Sequence, residues 1–277
     1  MSGIQLAGAT VAVTGAGRGI GLATAKAFAK KGAFVFIGDL DEDLAKSAAA
    51  EVGGVGVGLD VRSRESFANF LAVIDESGRP LDVLVNNAGI MPIGRFVDEA
   101  DAITDAILDV NVRGVLNGTK LALPAMLERG HGHIINVASY LGKVPSAGLA
   151  TYCASKYAVV GFSESLRDEI AGSGVTVTAV LPSAVRTELL SGVKQGGVLP
   201  TVDPEDIANG VVNSCGHRAA IVAVPGWMRG YEAAAALVPD RVLGAVRGSL
   251  TRSRTLSQVD NAARGAYEER MRRVAGN

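Results

Sequence analysis

Seven short apolar segments recur along the chain, and stretches with helical character fall between them. This alternation limits the fold more than any other feature of the sequence. The segments are Thr10–Thr14, Ala33–Gly38, Val55–Leu59, Leu81–Asn86, His133–Ala138, Val175–Leu181 and Ala220–Val224. Short continuous apolar runs are expected of strands buried on both faces, as in a parallel sheet. Between them lie an Ala-rich run ending at Lys31, Ser63–Ser77, Ala100–Glu128, residues 151–171, and a stretch opened by Asp203-Pro204. Proline there suits a first helical position, where the missing N–H removes no helical bond. Strand-helix-strand repetition predicts an α/β fold, a doubly wound seven-stranded parallel sheet with helices on both faces and right-handed crossovers. With 277 residues, 48% of them apolar, the chain can build one large domain of this kind or two small ones.

In such sheets ligands lie outside the carboxyl ends of the strands. Six features follow strand ends here: Gly15 to Gly21, Asp39, Asp60, Asn86 to Gly89, Ser139 and Pro182. Gly15-Ala16-Gly17-Arg18-Gly19-Ile20-Gly21 joins the first strand to a helix. Backbone N–H groups at that helix start can face an anion, and missing Cβ atoms let a phosphate approach. The spacing departs from G-x-G-x-x-G, since the glycines that matter fall at 15, 19 and 21. Asp39 ends the second strand, where a carboxylate can accept hydrogen bonds from a ribose diol and repel a 2′-phosphate. Asp41, Glu42 and Asp43 strengthen that field, and acids here also suit a helix N-terminus. Asn86-Asn87-Ala88-Gly89 fits a cofactor lying across the sheet edge, or a plain turn.

The stretch from Ser139 to Lys156 carries the chemistry. A hydroxyl stands at a strand end, and Tyr152 and Lys156 share one helix face a turn apart. The lysine charge is expected to favour phenolate and draw the tyrosine down from about 10, so that it exchanges protons near neutrality. A tyrosine and lysine four apart are more often a packed ring beside a solvated amine. It is the surrounding features that give the pair meaning. Asn111 sits mid-helix, where asparagine is a poor choice, and is expected to hold a water or a backbone carbonyl near Lys156.

A net charge of −1 gives no reason to expect a nucleic-acid partner. The first residues lack a signal-type pattern, and no apolar run has the length of a membrane span. Two cysteines, Cys153 and Cys215, without a Cys-x-x-Cys motif, fit a reduced cytoplasmic setting. No metal site is expected.

Thr14-Gly15-x-x-x-Gly19-x-Gly21, Asp60, Asn86-Asn87-Ala88-Gly89, Asn111, Ser139 and Tyr152-x-x-x-Lys156 stand in order at family spacing. Through them the chain resembles the short-chain dehydrogenase/reductase family over roughly residues 6 to 225. The resemblance implies a single Rossmann-type domain over 1–225 and a nicotinamide-dependent alcohol–ketone oxidoreductase. It implies Tyr152 as general acid/base, Ser139 polarising the substrate oxygen, Lys156 binding the nicotinamide ribose and lowering the tyrosine pKa, and Asn111 holding a relay water. It further implies that the dinucleotide meets Gly15, Arg18, Gly19, Ile20 and Gly21 at the turn, and Asp39 and Leu40 at the ribose. Asp60 and Val61 would meet adenine, Asn87, Ala88 and Gly89 the adenosine side, and Pro182, Val185 and Thr187 the nicotinamide end, alongside Tyr152 and Lys156. Arg18 stands where NADP-preferring members carry a basic residue, but Asp39 outweighs it and Leu40 offers no phosphate partner, so NAD is expected. The chain departs from the family at Ser183, where glycine usually follows Pro182, and in its tail.

The expected substrate lining is apolar: Met91, Ile93, Leu141, Val144, Leu149, Leu189 and Leu190, with Trp227 and Met228 at its margin. A steroid-, terpenoid- or lipid-like secondary alcohol or ketone would suit it. From Arg229 onward the tail holds nine arginines, no lysine and five acids, and residues 227–247 read as two short helices broken near Pro239. The tail, 226–277, is expected to lid a pocket or extend a subunit interface, and a membrane-surface segment is the remaining reading. A homotetramer or homodimer is implied by the resemblance. Two rival functions stand beside the main one: an NADPH-dependent 3-oxoacyl-carrier reductase and a non-catalytic NAD-sensing protein.

Overall fold

The strands assemble as the alternation predicts. The computed structural model describes residues 3–190, 200–230 and 261–276. The strands are β1 (Thr10–Thr14), β2 (Phe34–Asp39), β3 (Val55–Gly58), β4 (Val83–Asn86), β5 (Gly132–Val137), β6 (Val175–Pro182), β7 (Ala184–Val185), β8 (Thr201–Val202) and β9 (Ile221–Val224). Seven form one parallel sheet in the order β3-β2-β1-β4-β5-β6-β9. The order reverses between β1 and β4, which opens a crevice at their carboxyl ends.

Each central strand is buried on both faces and alternates between two cores. Val11, Val13, Val35, Ile37, Val83 and Val85 face one, with α1 (Gly19–Lys30), α2 (Glu42–Val52) and α7 (Pro204–His217). Ala12, Phe36, Leu84 and Ile134 face the other, with α3 (Arg64–Glu76), α4 (Asp101–Leu108), α5 (Gly114–Arg129), α6 (Ala150–Glu169) and α8 (Asn261–Ala275). Fully buried Phe36, Phe67 and Phe70 are each worth about 1.5–3 kcal/mol in transfer from water.

Local signals set the helix starts. The Asp41 carboxylate accepts from Leu44 N–H at 3.1 Å, and the Ser63 hydroxyl accepts from Ser66 N–H at 3.1 Å. Pro204 stands in the first turn of α7, and the Asp206 carboxylate accepts from Asp203 N–H at 3.0 Å. By contrast, no side chain caps α1, which begins in the glycine turn.

Two features depart from the expected pattern. The helical stretch over Ala100–Glu128 is interrupted by a π-turn, Asp109–Arg113, with Asn111 at its centre. After β6 a short ribbon pairs Ala184 with Thr201 and Val185 with Val202. The tail helices expected around Pro239 lie outside the described residues.

Candidate active site

The crevice is closed from below by contacts between the turns after β1 and β4. Gly15 holds φ +61°, and a Cβ there would stand 2.7 Å from Ala88 Cα. The turn therefore depends on glycine for both conformation and clearance. The Thr14 hydroxyl accepts from Asn87 and Ala88 N–H at 3.0 and 3.1 Å. The Asn87 amide donates to the Thr14 and Gly15 carbonyls at 2.8 and 3.0 Å. These bonds employ the Asn87 side chain in the scaffold. A Cβ on Gly89 would lie 3.3 Å from Asn111 Oδ1 and 3.5 Å from Lys156 Nζ.

Along the crevice, Asp39 Oδ2 accepts from Gly17 N–H at 2.9 Å, and its Oδ1 from Asp41 N–H at 3.2 Å. The acid is thus fixed against the glycine turn, and Asp41 is the residue that caps α2. Leu40 is exposed and Ile20 half-buried. Arg18 pairs with Glu188 at 3.2 Å. Asp60 is held by Arg62, whose guanidinium donates to both carboxylate oxygens at 2.8–3.1 Å. Burial raises the Asp60 pKa, but the Arg62 hydrogen bonds outweigh it and hold the carboxyl below its usual range. Val61 packs beneath α5, where a Cβ on Gly114 would meet it at 2.8 Å.

Beyond Pro182, Ser183 N–H donates to the Val224 carbonyl at 2.9 Å. Arg218 is the one non-glycine residue with positive φ among those described, so Ser183 takes up the glycine position of the family without strain. Val185 is buried, and Thr187 overhangs the glycine turn, its Cγ2 3.6 Å from where a Gly19 Cβ would stand.

At the centre, β5 delivers Ser139 and the first turns of α6 deliver Tyr152 and Lys156, all buried. Lys156 Nζ donates to the Val137 carbonyl at 3.0 Å and lies 5.7 Å from the Tyr152 ring centroid. Asn111 bonds both the N–H and the C=O of Ile90, at 2.9 and 3.0 Å, and donates to the Ser155 hydroxyl at 3.0 Å. Ser155 in turn donates to the Tyr152 carbonyl at 2.7 Å. The π-turn thereby aims an amide that ties the loop after β4 to the helix bearing the tyrosine.

The electrostatics correct one expectation. Burial pushes the Tyr152 phenol well above its ordinary value, hydrogen bonding with Ser139 opposes this, and neighbouring Tyr267 adds to the rise. Burial also lowers Lys156 to about 8. Desolvation therefore dominates both groups, and the phenol is shifted above rather than below its ordinary value.

Met91, Leu149, Tyr152 and Cys153 form one buried apolar cluster, with Ile93, Leu141, Leu189 and Leu190 packed against it. Two expected lining residues fall elsewhere. Val144 and Met228 pack into a separate cluster with Tyr140 and Val160, and the Tyr140 hydroxyl donates to the Met228 carbonyl at 3.1 Å. Trp227 is 65% exposed. The structure adds residues that the sequence did not single out. Tyr267 and Arg264 of α8 are buried against the loop bearing Met91, and Arg270 joins Arg18 on Glu188 at 2.8 Å. Thr14 was legible as a motif position, but nothing around Arg264 or Tyr267 marks them. Among the described residues no cluster of His, Cys, Asp and Glu could hold a metal ion, and no helix is long and apolar enough to cross a membrane.

A seven-stranded doubly wound sheet with hydroxyl, phenol and ammonium at the switch-point edge defines an oxidoreductase on a Rossmann-like fold. The sequence model for short chain dehydrogenase matches residues 9–196. The chain is 36% identical over 222 residues to 2,5-dichloro-2,5-cyclohexadiene-1,4-diol dehydrogenase LinX of Sphingobium indicum, covering 75% of this chain and 89% of that protein. A short-chain type dehydrogenase/reductase from Mycobacterium marinum superposes with TM-score 0.72 at 26% identity, covering 79% and 94% of the two chains. A short-chain dehydrogenase/reductase from Burkholderia phymatum, solved with NAD, shares the fold with TM-score 0.76 at 22% identity over 88% and 97%. The chain belongs to the short-chain dehydrogenase/reductase family.

Proposed function

We propose that this chain is an NAD-dependent oxidoreductase interconverting a secondary alcohol and a ketone on an apolar substrate. The observation that carries the reading is the Tyr152 phenol, buried among Met91, Leu149 and Cys153 with Ser139 and Lys156 beside it. When bound, the nicotinamide supplies hydride transfer. At Gly19 a Cβ would meet nothing closer than Thr187 at 3.6 Å, so that part of the turn has clearance, and the uncapped start of α1 offers N–H groups to a pyrophosphate. These residues fit the group.

In the reducing direction the protonated Tyr152 would donate its proton to the ketone oxygen. In oxidation the phenol would first lose its proton to solvent, a loss that the Lys156 charge assists, and the phenolate would then take the alcohol proton. Ser139 orients and polarises the substrate oxygen, and Asn111 holds the tyrosine helix in register with the loop after β4. Asp39 supports NAD because its carboxylate is fixed where a 2′-phosphate would approach. Arg18, the candidate phosphate partner, is already paired with Glu188. The similarity to LinX, named for a cyclic diol, supports a secondary alcohol on an apolar ring. Exposed Leu108, Leu127 and Tyr157 support a homo-oligomer, which light scattering after gel filtration would measure.

The test is an absorbance screen for NAD reduction across alcohols, run with parent and Tyr152→Phe. Turnover of apolar secondary alcohols should vanish in the variant while dinucleotide affinity stays near parental. Surviving turnover, or activity only on small polar alcohols, contradicts the reading.

A further inference from the structure

Arg264 is wholly buried in α8, far along the chain from the catalytic residues. Its guanidinium donates through one nitrogen to the Met91 carbonyl at 2.6 Å and through another to the Leu189 carbonyl at 3.0 Å. The Tyr267 hydroxyl accepts from Met91 N–H at 2.7 Å, and the Arg264 guanidinium carbon lies 4.8 Å from the Tyr267 ring centroid. The peptide groups flanking Met91 are therefore gripped on both sides, N–H by the phenol and C=O by the cation. Both clamped residues, Met91 and Leu189, belong to the apolar cluster around Tyr152. They come from separate loops, one after β4 and one after β7. Glu188, next to Leu189, is held again by Arg270 at 2.8 Å. A planar guanidinium can span two carbonyls at a fixed separation, which an ammonium cannot reproduce. Glu268 lies 3.6 Å from the Arg264 Nε, so the buried cation has an acidic neighbour.

We propose that Arg264 and Tyr267 are specificity-determining positioning residues. By fixing Met91 and Leu189 relative to one another, they set the width of the apolar chamber at Tyr152 and hence the size of alcohol it accepts. The inference rests on the reading of that chamber as the substrate site. It makes the C-terminal helix part of its own chain's pocket.

The experiment compares parent protein, Arg264→Met, Arg264→Lys and Tyr267→Phe on cyclohexanol and a fused-ring secondary alcohol, decahydro-2-naphthol, with NAD. The ratio of kcat/KM between the two alcohols should shift by about tenfold in Arg264→Met, mainly through KM, the scale that a change of pocket fit produces. Tyr267→Phe should shift it in the same direction by less, and Arg264→Lys should recover only part of the parental ratio. NAD affinity, read by fluorescence titration, should stay within about twofold of parent. Equal losses on both alcohols with an unchanged ratio would overturn the proposal, since a merely structural role moves both together. A second readout needs no turnover. Amide hydrogen exchange in the peptide holding Met91 should accelerate in Tyr267→Phe, and an unchanged rate overturns the clamp. If Arg264→Met fails to fold, Tyr267→Phe carries both measurements. If the parent oxidises neither alcohol, the alcohol reading falls and hydrogen exchange decides the clamp alone.

Discussion

The two edges of the sheet both bury basic side chains, and they treat them differently. At the amino edge, Arg167 donates to the Thr176 hydroxyl and to the carbonyls of Val177 and Arg218 at 2.6–2.7 Å. Arg218 donates to the Gly174 carbonyl at 3.0 Å. His133 Nε2 meets the Thr178 hydroxyl at 2.8 Å. That hydroxyl already donates to the Ala219 carbonyl at 2.7 Å, so Nε2 carries the imidazole proton. These donors end on fixed acceptors and close the loops beneath the sheet. At the carboxyl edge Lys156 has one carbonyl partner among the described residues and faces a phenol. Its charge remains available to a group whose protonation changes. Arg167, with three acceptors, braces the fold, while Lys156, with one, lies beside an ionisable phenol.

Lys156→Met breaks the comparison most forcefully. It should lower turnover by about 10²–10⁴-fold, the range assigned to a positioned proton-transfer group. Its melting temperature should not fall, because removing a desolvated ammonium offsets the lost bond to Val137. Arg167→Met should do the reverse. It leaves carbonyls of Val177 and Arg218 without their donor, so urea denaturation should show a loss of about 2–4 kcal/mol, while turnover per folded molecule stays near parental.

The pH dependence of stability sharpens the same contrast. Burial, then the charges of Arg218 and Arg167, takes His133 from 6.5 down to about 3. The unfolded chain gains that proton below 6.5 and the folded chain does not until about 3. The His133 contribution is therefore complete above pH 6.5 and falls by up to about 1.4 kcal/mol per pH unit across that window. Denaturation series at pH 4, 5 and 6 should show a shallower decline in His133→Gln. The smallest effect belongs to the crevice rim. Asp39→Ala should relax discrimination against NADP by about tenfold, read as the ratio of kcat/KM for the two cofactors, with little change in stability.

Much of this was legible in the sequence. The strands betray themselves by apolar runs of the right length, and the residues after them fall on one edge because a parallel sheet allows nothing else. Asp39, Asn87 and Ser139 follow from that rule, and Tyr152 and Lys156 from their spacing on one helix face. What escaped detection lacks a pattern. The π-turn at Asn111 adds one residue to a helical turn and leaves the apolar spacing of Ala100–Glu128 almost untouched. The two-residue strands at Ala184 and Thr201 are too short for any periodicity. Val144 follows Ser139 closely in sequence, but packs with Tyr140 in another cluster. Arg264 grips backbone carbonyls, which every residue possesses, so no side-chain signal at Met91 or Leu189 announces it. Charge counting left the tail open to a lid, an interface or a membrane surface and singled out no arginine, whereas the fold buries Arg264. The raised tyrosine was misjudged for a related reason: sequence proximity conveys the lysine's charge but not the desolvation of the ring.

The account turns on a phenol that burial keeps protonated and that acquires proton-transfer character from the cations around it. Titrating Tyr152 by ultraviolet difference spectroscopy, parent minus Tyr152→Phe, with and without saturating NAD, tests this directly. Without the dinucleotide the phenol should remain protonated past pH 10, and with it the apparent pKa should fall by at least about one unit, since an oxidised nicotinamide adds positive charge nearby. A phenol that titrates at an ordinary tyrosine value, or identically in both states, would contradict the account.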